Sequence, residues 1–410
     1  MAGSIRPYAE KKDRASAHRI WKECGWMTDE KKDKESTDAV IRSGRSLVFE
    51  VNGSAESMVT STPSRMLYAG TVLDHSAITS VTTSRVARNL GAASSTLAAM
   101  LSAEAGQGAA VSGLGIFDQG FYNRLGYGTG SYEHWISFDP AWLKDLPVPG
   151  IPQRFDVKNY KAIHQARLRR KKLHGAVDLL PPEITKAEML EDKNTFCLGY
   201  KKGSTITHCL VMYCTEVEEG PYRVMCMAYQ DYHQLCELLA LIKGLGDQVR
   251  QVRMQEPGEI QMQDFLDKPF QLQTVSRKGE FEAGVRSYAY WQIRILDLKR
   301  CISAMKCHDQ LRFNLIIEDP IVQFLPKGSG WKGCGGRYTV TLGPRSSVKK
   351  GITKGLDTLT ASIGDFSRFW LGVQRAEVLN VTGLFEGPGD LLKKLDAVMT
   401  LPIPAPDWAY

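Results

Sequence analysis

The stretch ITSVTTSRVARNLGAASSTLAAMLSAEA, residues 78–105, constrains the fold of this chain more than any other. Ile78–Ser84 is rich in β-branched residues and predicts a strand. Gly91–Ala105 is built largely of small residues and predicts a helix. Between them stands Arg88-x-x-Gly91-x-Ala93. The first N–H groups of a helix have no intrahelical partner, and the helix dipole favours negative charge there. Gly91 has no side chain to keep a pyrophosphate away from the backbone, and Arg88 can add charge-assisted hydrogen bonds. The arrangement reads as an anion site. Taken alone, the six-residue pattern also fits an ordinary strand–loop–helix turn.

Around this stretch, strands are expected at Ser4–Tyr8, Arg45–Val51, Arg65–Val72 and near Ala110–Gly115. Helices are expected at Lys11–Cys24 and near Gly120–Leu125. Such alternation indicates an α/β or α+β core in residues 1–150. Three prolines in LPVPGIPQRF, residues 146–155, mark a linker. The basic run Arg167–Lys172 reads as a solvated helix face. Residues 156–295 repeat the element order of the first segment: strands Thr195–Lys201, Ile206–Thr215 and Tyr222–Ala228, a helix Tyr232–Lys243, then a strand Gln248–Met254. In the third segment, strands at Gln292–Leu298, Leu311–Ile317 and Arg337–Leu342 precede two helices, Ile363–Val373 and Leu391–Met399. Ser362 and Asp365 give the first of these a start like a capping box. The tail LPIPAPDWAY is proline-rich and extended.

Composition excludes several classes. With 52 Lys and Arg against 45 Asp and Glu, the net charge of +7 is too small to argue for a nucleic-acid partner and suits an anionic cofactor. No run of apolar residues is long enough for a membrane span, and MAGSIRPYAEKKDR lacks an apolar signal core. The nine cysteines are odd in number and form no CxxC, as expected of reduced thiols in a cytoplasmic protein. Cys307-His308 stands alone, so no metal site is expected. Gly328–Gly333 matches GxGxxG but runs into a strand-like segment, which indicates a glycine-rich hairpin rather than a dinucleotide fingerprint.

Roughly thirty residues beyond Arg88 comes Gly120-Phe-Tyr-Asn-Arg-Leu-Gly-Tyr-Gly128. Alone, it fits packing aromatics before a glycine turn. In the order strand, RxxGxA, small-residue helix, short strand, FYxxLGYG, it resembles the acyl-CoA-binding core of the GNAT acetyltransferase superfamily. VSGLGIFDQGFYNRLGYGTG (111–130), WQIRILDLKRCISA (291–304) and ASIGDFSRFWLGVQRAEVLNVTG (361–383) narrow the resemblance to the Eis (enhanced intracellular survival) family. The third domain of that family resembles sterol carrier protein type 2.

The resemblance implies two tandem GNAT-like domains, a catalytic one at 1–150 and a degenerate one at 156–295. A sterol-carrier-like α+β domain would follow at 296–410, with a tail that reaches the active site. Acetyl-CoA would be the cosubstrate, held by Arg88, Asn89, Gly91, Ala92 and Ala93, with backbone N–H groups at Val81, Thr82 and Thr83 facing the thioester. Tyr122 matches the general acid, with Tyr127 its packing neighbour. A tyrosine, with a pKa near 10, can protonate a thiolate whose thiol has a pKa near 8.5. The resemblance makes the C-terminal carboxylate of Tyr410 the general base. It also implies a homohexamer, and an amine acceptor of polycationic, aminoglycoside-like type or a lysine side chain. Such an acceptor needs acidic surroundings, for which Glu23 and Asp29 beside Trp26 are candidates, although they equally fit a solvated turn. There are two departures. Arg88-Asn89-Leu90-Gly91 stands where the family often carries an arginine-rich loop. Ala228–His233 has neither glycine nor arginine, so one active site per chain is expected. A lipid- or sterol-binding protein using Phe366, Phe369 and Trp370 is the alternative, though the same residues fit a plain core.

Overall fold

The computed structural model describes residues 3–147, 150–268 and 281–408. They form a mixed α/β structure of two units of like element order, each with its own sheet, and a third, smaller sheet. The first sheet runs Ser4–Pro7, Arg45–Val51, Ser54–Tyr68, Thr71–Thr83, Val111–Gly115, Trp291–Ile295, Gly128–Thr129, with Val177–Leu179 added beside Ser54–Tyr68. The second runs Gly284–Tyr288, Glu133–Phe138, Val252–Gln255, Tyr222–Ala228, Thr205–Cys214, Phe196–Lys202, Gln153–Phe155. In each, one parallel pair is bridged by a helix: Ala92–Gly106 in the first and Tyr232–Lys243 in the second. This is the crossover that a right-twisted sheet accommodates. The duplication in element order thus appears in space.

The sheets cross the linear partition at 150 and 295. The chain leaves the first sheet after Gly128–Thr129 and enters the second at Glu133. It touches the first sheet again at Val177–Leu179 and returns for good at Trp291, whose strand pairs with both Val111–Gly115 and Gly128–Thr129. The second unit is therefore inserted into the first. Of the proline-rich segment 146–155, residues 148 and 149 lie outside the described residues, and residues 150–152 lead into the edge strand Gln153–Phe155 of that unit. Arg65–Val72 is two strands rather than one. A hairpin turns at Ala69 and Gly70, both at positive φ, and alanine there hid the turn.

The third sheet carries the helix Ile363–Trp370. The Ser362 side chain accepts from the Asp365 N–H and donates to the Asp365 carboxylate, at 3.1 and 2.6 Å. Phe366, Phe369 and Trp370 are buried in one core that continues into the first sheet. Trp370 stacks on Tyr68 at 4.3 Å and donates Nε1–H to the Cys301 carbonyl. These side chains are core. Gly328–Gly333 is a loop running into the strand Gly336–Leu342, with no helix after it. Gly333, at φ +80°, lets Asp319 approach, since a Cβ there would meet its Oδ2 at 2.5 Å. No described helix is long and apolar enough to cross a membrane.

Candidate active site

Thr71–Thr83 and Val111–Gly115 pair only from His75–Val111 to Ile78–Leu114. Past that point they part, for two local reasons. Ser80 takes φ +56°, and the register with Ser54–Tyr68 slips between Met58 and Thr60. On the other side, Ile116 N–H turns to the Tyr290 carbonyl. The open wedge leads into a cavity of about 740 Å³ that Thr79, Ser80, Val81, Ile116, Tyr122 and Trp408 line together. Of the backbone expected to face a thioester, Val81 lines this cavity. Thr82 and Thr83 are paired into the hairpin with Met58 and Ser57.

The loop beyond the wedge is shaped by Ser84, whose Oγ accepts from Val86 and Ala87 N–H groups. Arg88 and Asn89 are exposed on it, and Gly91 closes it at φ +69°. No side chain caps the helix Ala92–Gly106, and its first turn holds no acidic residue. Ser95 and Thr96 turn their hydroxyls back to carbonyls at Gly91 and Ala92. The N-terminus therefore offers its free N–H groups at Ala92 and Ala93 to an anion. The corresponding helix of the second unit begins at Asp231, whose carboxylate accepts from Gln234 N–H at 2.9 Å. A capping carboxylate occupies the place a phosphate would take and repels it. Acetyl-CoA fits the first unit on a further observation: Ser80 Oγ is buried in the wedge wall with no hydrogen-bond partner.

Replacing Gly91 with alanine tests this loop. A Cβ there meets nothing within 4 Å, so the expected stability loss is the left-handed strain alone, about 1–2 kcal/mol. Kd for acetyl-CoA, read by calorimetry, is expected to rise about tenfold, as for one lost hydrogen bond to a charged group.

Tyr122 lies in the short helix Gln119–Asn123, capped by Asp118. Its ring meets Phe121 and Tyr127 edge-on, at 5.0 and 6.2 Å. Burial pushes its hydroxyl up to about 12, with Asp118 adding to the shift, so it is protonated at neutral pH. Tyr127 is fully inside and its hydroxyl is held by Ser112 Oγ at 2.8 Å.

The tail reaches the same cavity. It crosses the cleft of the second unit, where Tyr222–Ala228 and Val252–Gln255 pair at two positions and then part. Arg170 grips Asp407 with two hydrogen bonds, at 2.6 and 2.5 Å. Arg167 stacks on Trp408 at 3.7 Å. Trp408 donates Nε1–H to Glu188 at 2.8 Å and is buried. The basic run is thus not a solvated face: Arg167 and Arg170 are buried. Tyr410 lies outside the described residues.

The acidic candidates stand elsewhere. Glu23 accepts from Arg85 N–H, and Asp29 is exposed and ion-paired with Lys22 and Lys34. Of that loop, Trp26 lines the cavity, and so do the carboxylates of Asp33, just beyond it, and of Glu133 and Glu191 from distant segments. Burial pushes Glu133 up to about 7. A carboxyl raised in the folded state costs stability as pH rises from its unfolded value to about 7. Glu133→Gln is therefore expected to be the more stable protein above pH 7, with the difference vanishing below about pH 4.5. Urea midpoints at pH 4.5 and 8 check this. Among the described residues, no three His, Cys, Asp or Glu side chains gather to hold a metal ion.

The wedge, the uncapped helix and the buried tyrosine all fall within the first 130 residues of the chain. Residues 4–130 match the model of the acetyltransferase (GNAT) domain, and the chain carries that domain. No curated protein sequence matches. Three solved structures match over the full length of both chains. A conserved protein of unknown function from Enterococcus faecalis is 17% identical with a TM-score of 0.81. A GCN5-related N-acetyltransferase from Anabaena variabilis is 14% identical at 0.80. Eis1 from Mycobacterium abscessus is 15% identical at 0.75. At such identities the likeness is one of fold.

Proposed function

We propose that the chain is an acetyl-CoA-dependent N-acetyltransferase that acetylates a primary amine by direct attack on the thioester. The observation that carries this reading is that Tyr122 and the tail's Trp408 line one cavity opening from the strand wedge. Acetyl-CoA supplies the activated acyl group when bound. Arg88, Asn89 and the N–H groups of Ala92 and Ala93 hold its pyrophosphate, with Gly91 allowing the approach. Backbone N–H groups near Val81 orient the carbonyl and stabilise negative charge on its oxygen. Tyr122 keeps the proton that the departing sulfur takes. The terminal carboxylate of Tyr410, two residues beyond Trp408, accepts the proton the amine loses. A polycationic acceptor or a lysine side chain fits the three carboxylates of the cavity. The homohexamer of the resembling family is the assembly we expect, read by light scattering.

The test is thiol release from acetyl-CoA with a panel of amines, comparing the untagged chain with one extended at its C-terminus. Turnover that the extension abolishes, with acetyl-CoA binding retained, supports the reading. Full turnover in the extended chain removes the tail from the mechanism, and no turnover with any amine rejects the transferase.

A further inference from the structure

In the tail, Pro402, Pro404 and Pro406 stand at every second position. The neutral contacts that hold this segment read its backbone. Ser131 Oγ donates to the Pro404 carbonyl at 2.7 Å, the Ala405 N–H to the His174 carbonyl at 2.8 Å, and Gln255 Nε2 to the Pro406 carbonyl at 3.3 Å. Backbone groups recur at every residue, and a shift of two places lays proline on proline. Such contacts fix the path of the tail and leave its register open. A two-residue slip of an extended chain moves its end by about 6–7 Å. The feature that breaks the repeat is Asp407, the one charged side chain in residues 397–410.

Arg170 receives that charge in a buried frame. Its Nε and Nη2 donate to the two oxygens of Asp407. Its Nη1 donates to the Arg167 carbonyl at 2.7 Å and to Asp178 at 2.8 Å, and Nη2 also donates to the Val177 carbonyl at 2.8 Å. The five donors of the guanidinium are thus all matched, and three of them tie it to the body of the protein rather than to the tail. Val177–Leu179 pairs with the strand Ser54–Tyr68, which pairs in turn with Thr71–Thr83 of the wedge. A planar fork and a carboxylate meet bidentately in one geometry, so the pair selects position as well as charge. Asp407 faces the cleft of the second unit, whereas the next residue, Trp408, lines the cavity of Tyr122. Arg170 therefore acts on that cavity through the tail.

We propose that Arg170 is a positioning residue of the transferase: by pairing with Asp407 it sets the register in which the tail enters the cavity of Tyr122. The proposal rests on the transferase reading above, in which a carboxylate at the end of the tail accepts the proton of the amine. A slipped register leaves that carboxylate several ångströms from the amine, out of reach of the proton. Trp408 shares in the hold, since Arg167 stacks on it and His164 meets it edge-on at 5.5 Å. Trp408 also walls the cavity, so Asp407 is the position at which register is separated from the lining of the site.

The experiment compares Asp407→Asn and Asp178→Asn with the untagged parent. Asparagine at 407 keeps the shape of the side chain, and Arg170 keeps Asp178, so this variant folds. Asp178→Asn removes another partner of the same guanidinium and leaves the tail's pair in place. Thiol release from acetyl-CoA is followed from pH 7 to 9.5 with n-butylamine, spermidine and a lysine peptide. Calorimetry gives acetyl-CoA affinity, and hydrogen exchange over residues 401–408 reports release of the tail. Asp407→Asn is expected to lose about 10²-fold in kcat, as for a small misplacement of reacting groups, with acetyl-CoA affinity kept. Its deficit shrinks as pH rises, because a primary amine with a pKa near 10.4 gains about tenfold in neutral form with each pH unit and then needs no base. Its tail exchanges faster, whereas Asp178→Asn keeps both rate and protection. Parent-like kcat in Asp407→Asn, or a loss by one factor at every pH that Asp178→Asn shares, overturns the proposal and leaves the transferase standing. No turnover in the parent, with the tail freed in Asp407→Asn alone, overturns the transferase and leaves the register set by Arg170 standing. No turnover and no freed tail overturns both.

Discussion

Tyr122→Phe is expected to lower kcat by about 10²–10⁴-fold, the range of a positioned general acid. The change removes one oxygen and keeps the ring, with its edge-on contacts to Phe121 and Tyr127. Stability and acetyl-CoA affinity should be nearly those of the parent, because the ring and its packing are kept. The measurement is thiol release under saturation, with calorimetry for acetyl-CoA. Burial pushes the hydroxyl up to about 12, so the parent's rate should show no alkaline decline from Tyr122 through pH 9. A parent-like rate in the variant would return the acid role to another group. A loss confined to KM would make Tyr122 a binding residue.

The second large effect is on stability. Asp319→Ala is expected to cost about 3–5 kcal/mol, as when one partner of a buried ion pair is removed. Arg294 and Asp319 are wholly buried and meet at 2.6 Å. Asp319 also accepts from the N–H groups of Cys334 and Ile321, at 2.7 and 3.1 Å. Removing it strands the guanidinium and orphans two buried donors. Asp319→Asn keeps an acceptor and should lose less. Because Arg294 also donates to the Leu125 carbonyl, both variants should lower activity through the segment that carries Tyr122. Urea denaturation at pH 7 measures the loss. A cost under about 1 kcal/mol would mean that water reaches the pair.

Local pattern was legible where local forces decide. The strand Arg45–Val51, the helix Tyr232–Lys243, the Ser362 cap and the glycine before the small-residue helix were readable as periodicity and capping chemistry. What failed was non-local. The home sheet of Trp291–Ile295 is set by pairing with Val111–Gly115, and no residue in the strand announces it. Arg167 and Arg170 resemble any basic helix face until Asp407 and Trp408 arrive to cover them. The helix Lys31–Arg42 was missed because its charged residues conceal a buried stripe of Ser36, Thr37, Ala39 and Ile41. Glu133 and Glu191 were missed for a related reason. Their burial beside the cavity comes from distant segments, whereas the acids next to Trp26 in sequence are neutralised by lysines and a loop N–H.

The insertion of one unit within the other also sets an order of events during synthesis. Val111–Gly115 emerges with one edge lacking its partner, and Trp291–Ile295 follows only after the whole second unit. At ordinary ribosomal speeds that interval is roughly 10–35 s. Through it the nascent first sheet holds an open, unpaired edge beneath the segment bearing Tyr122, which is a hazard for misassociation. The inserted unit must therefore collapse early and bring its two ends together, so that the returning strand lands in a waiting slot. A chain stopped at residue 150 would keep the anion loop and still lack the strand that completes the sheet.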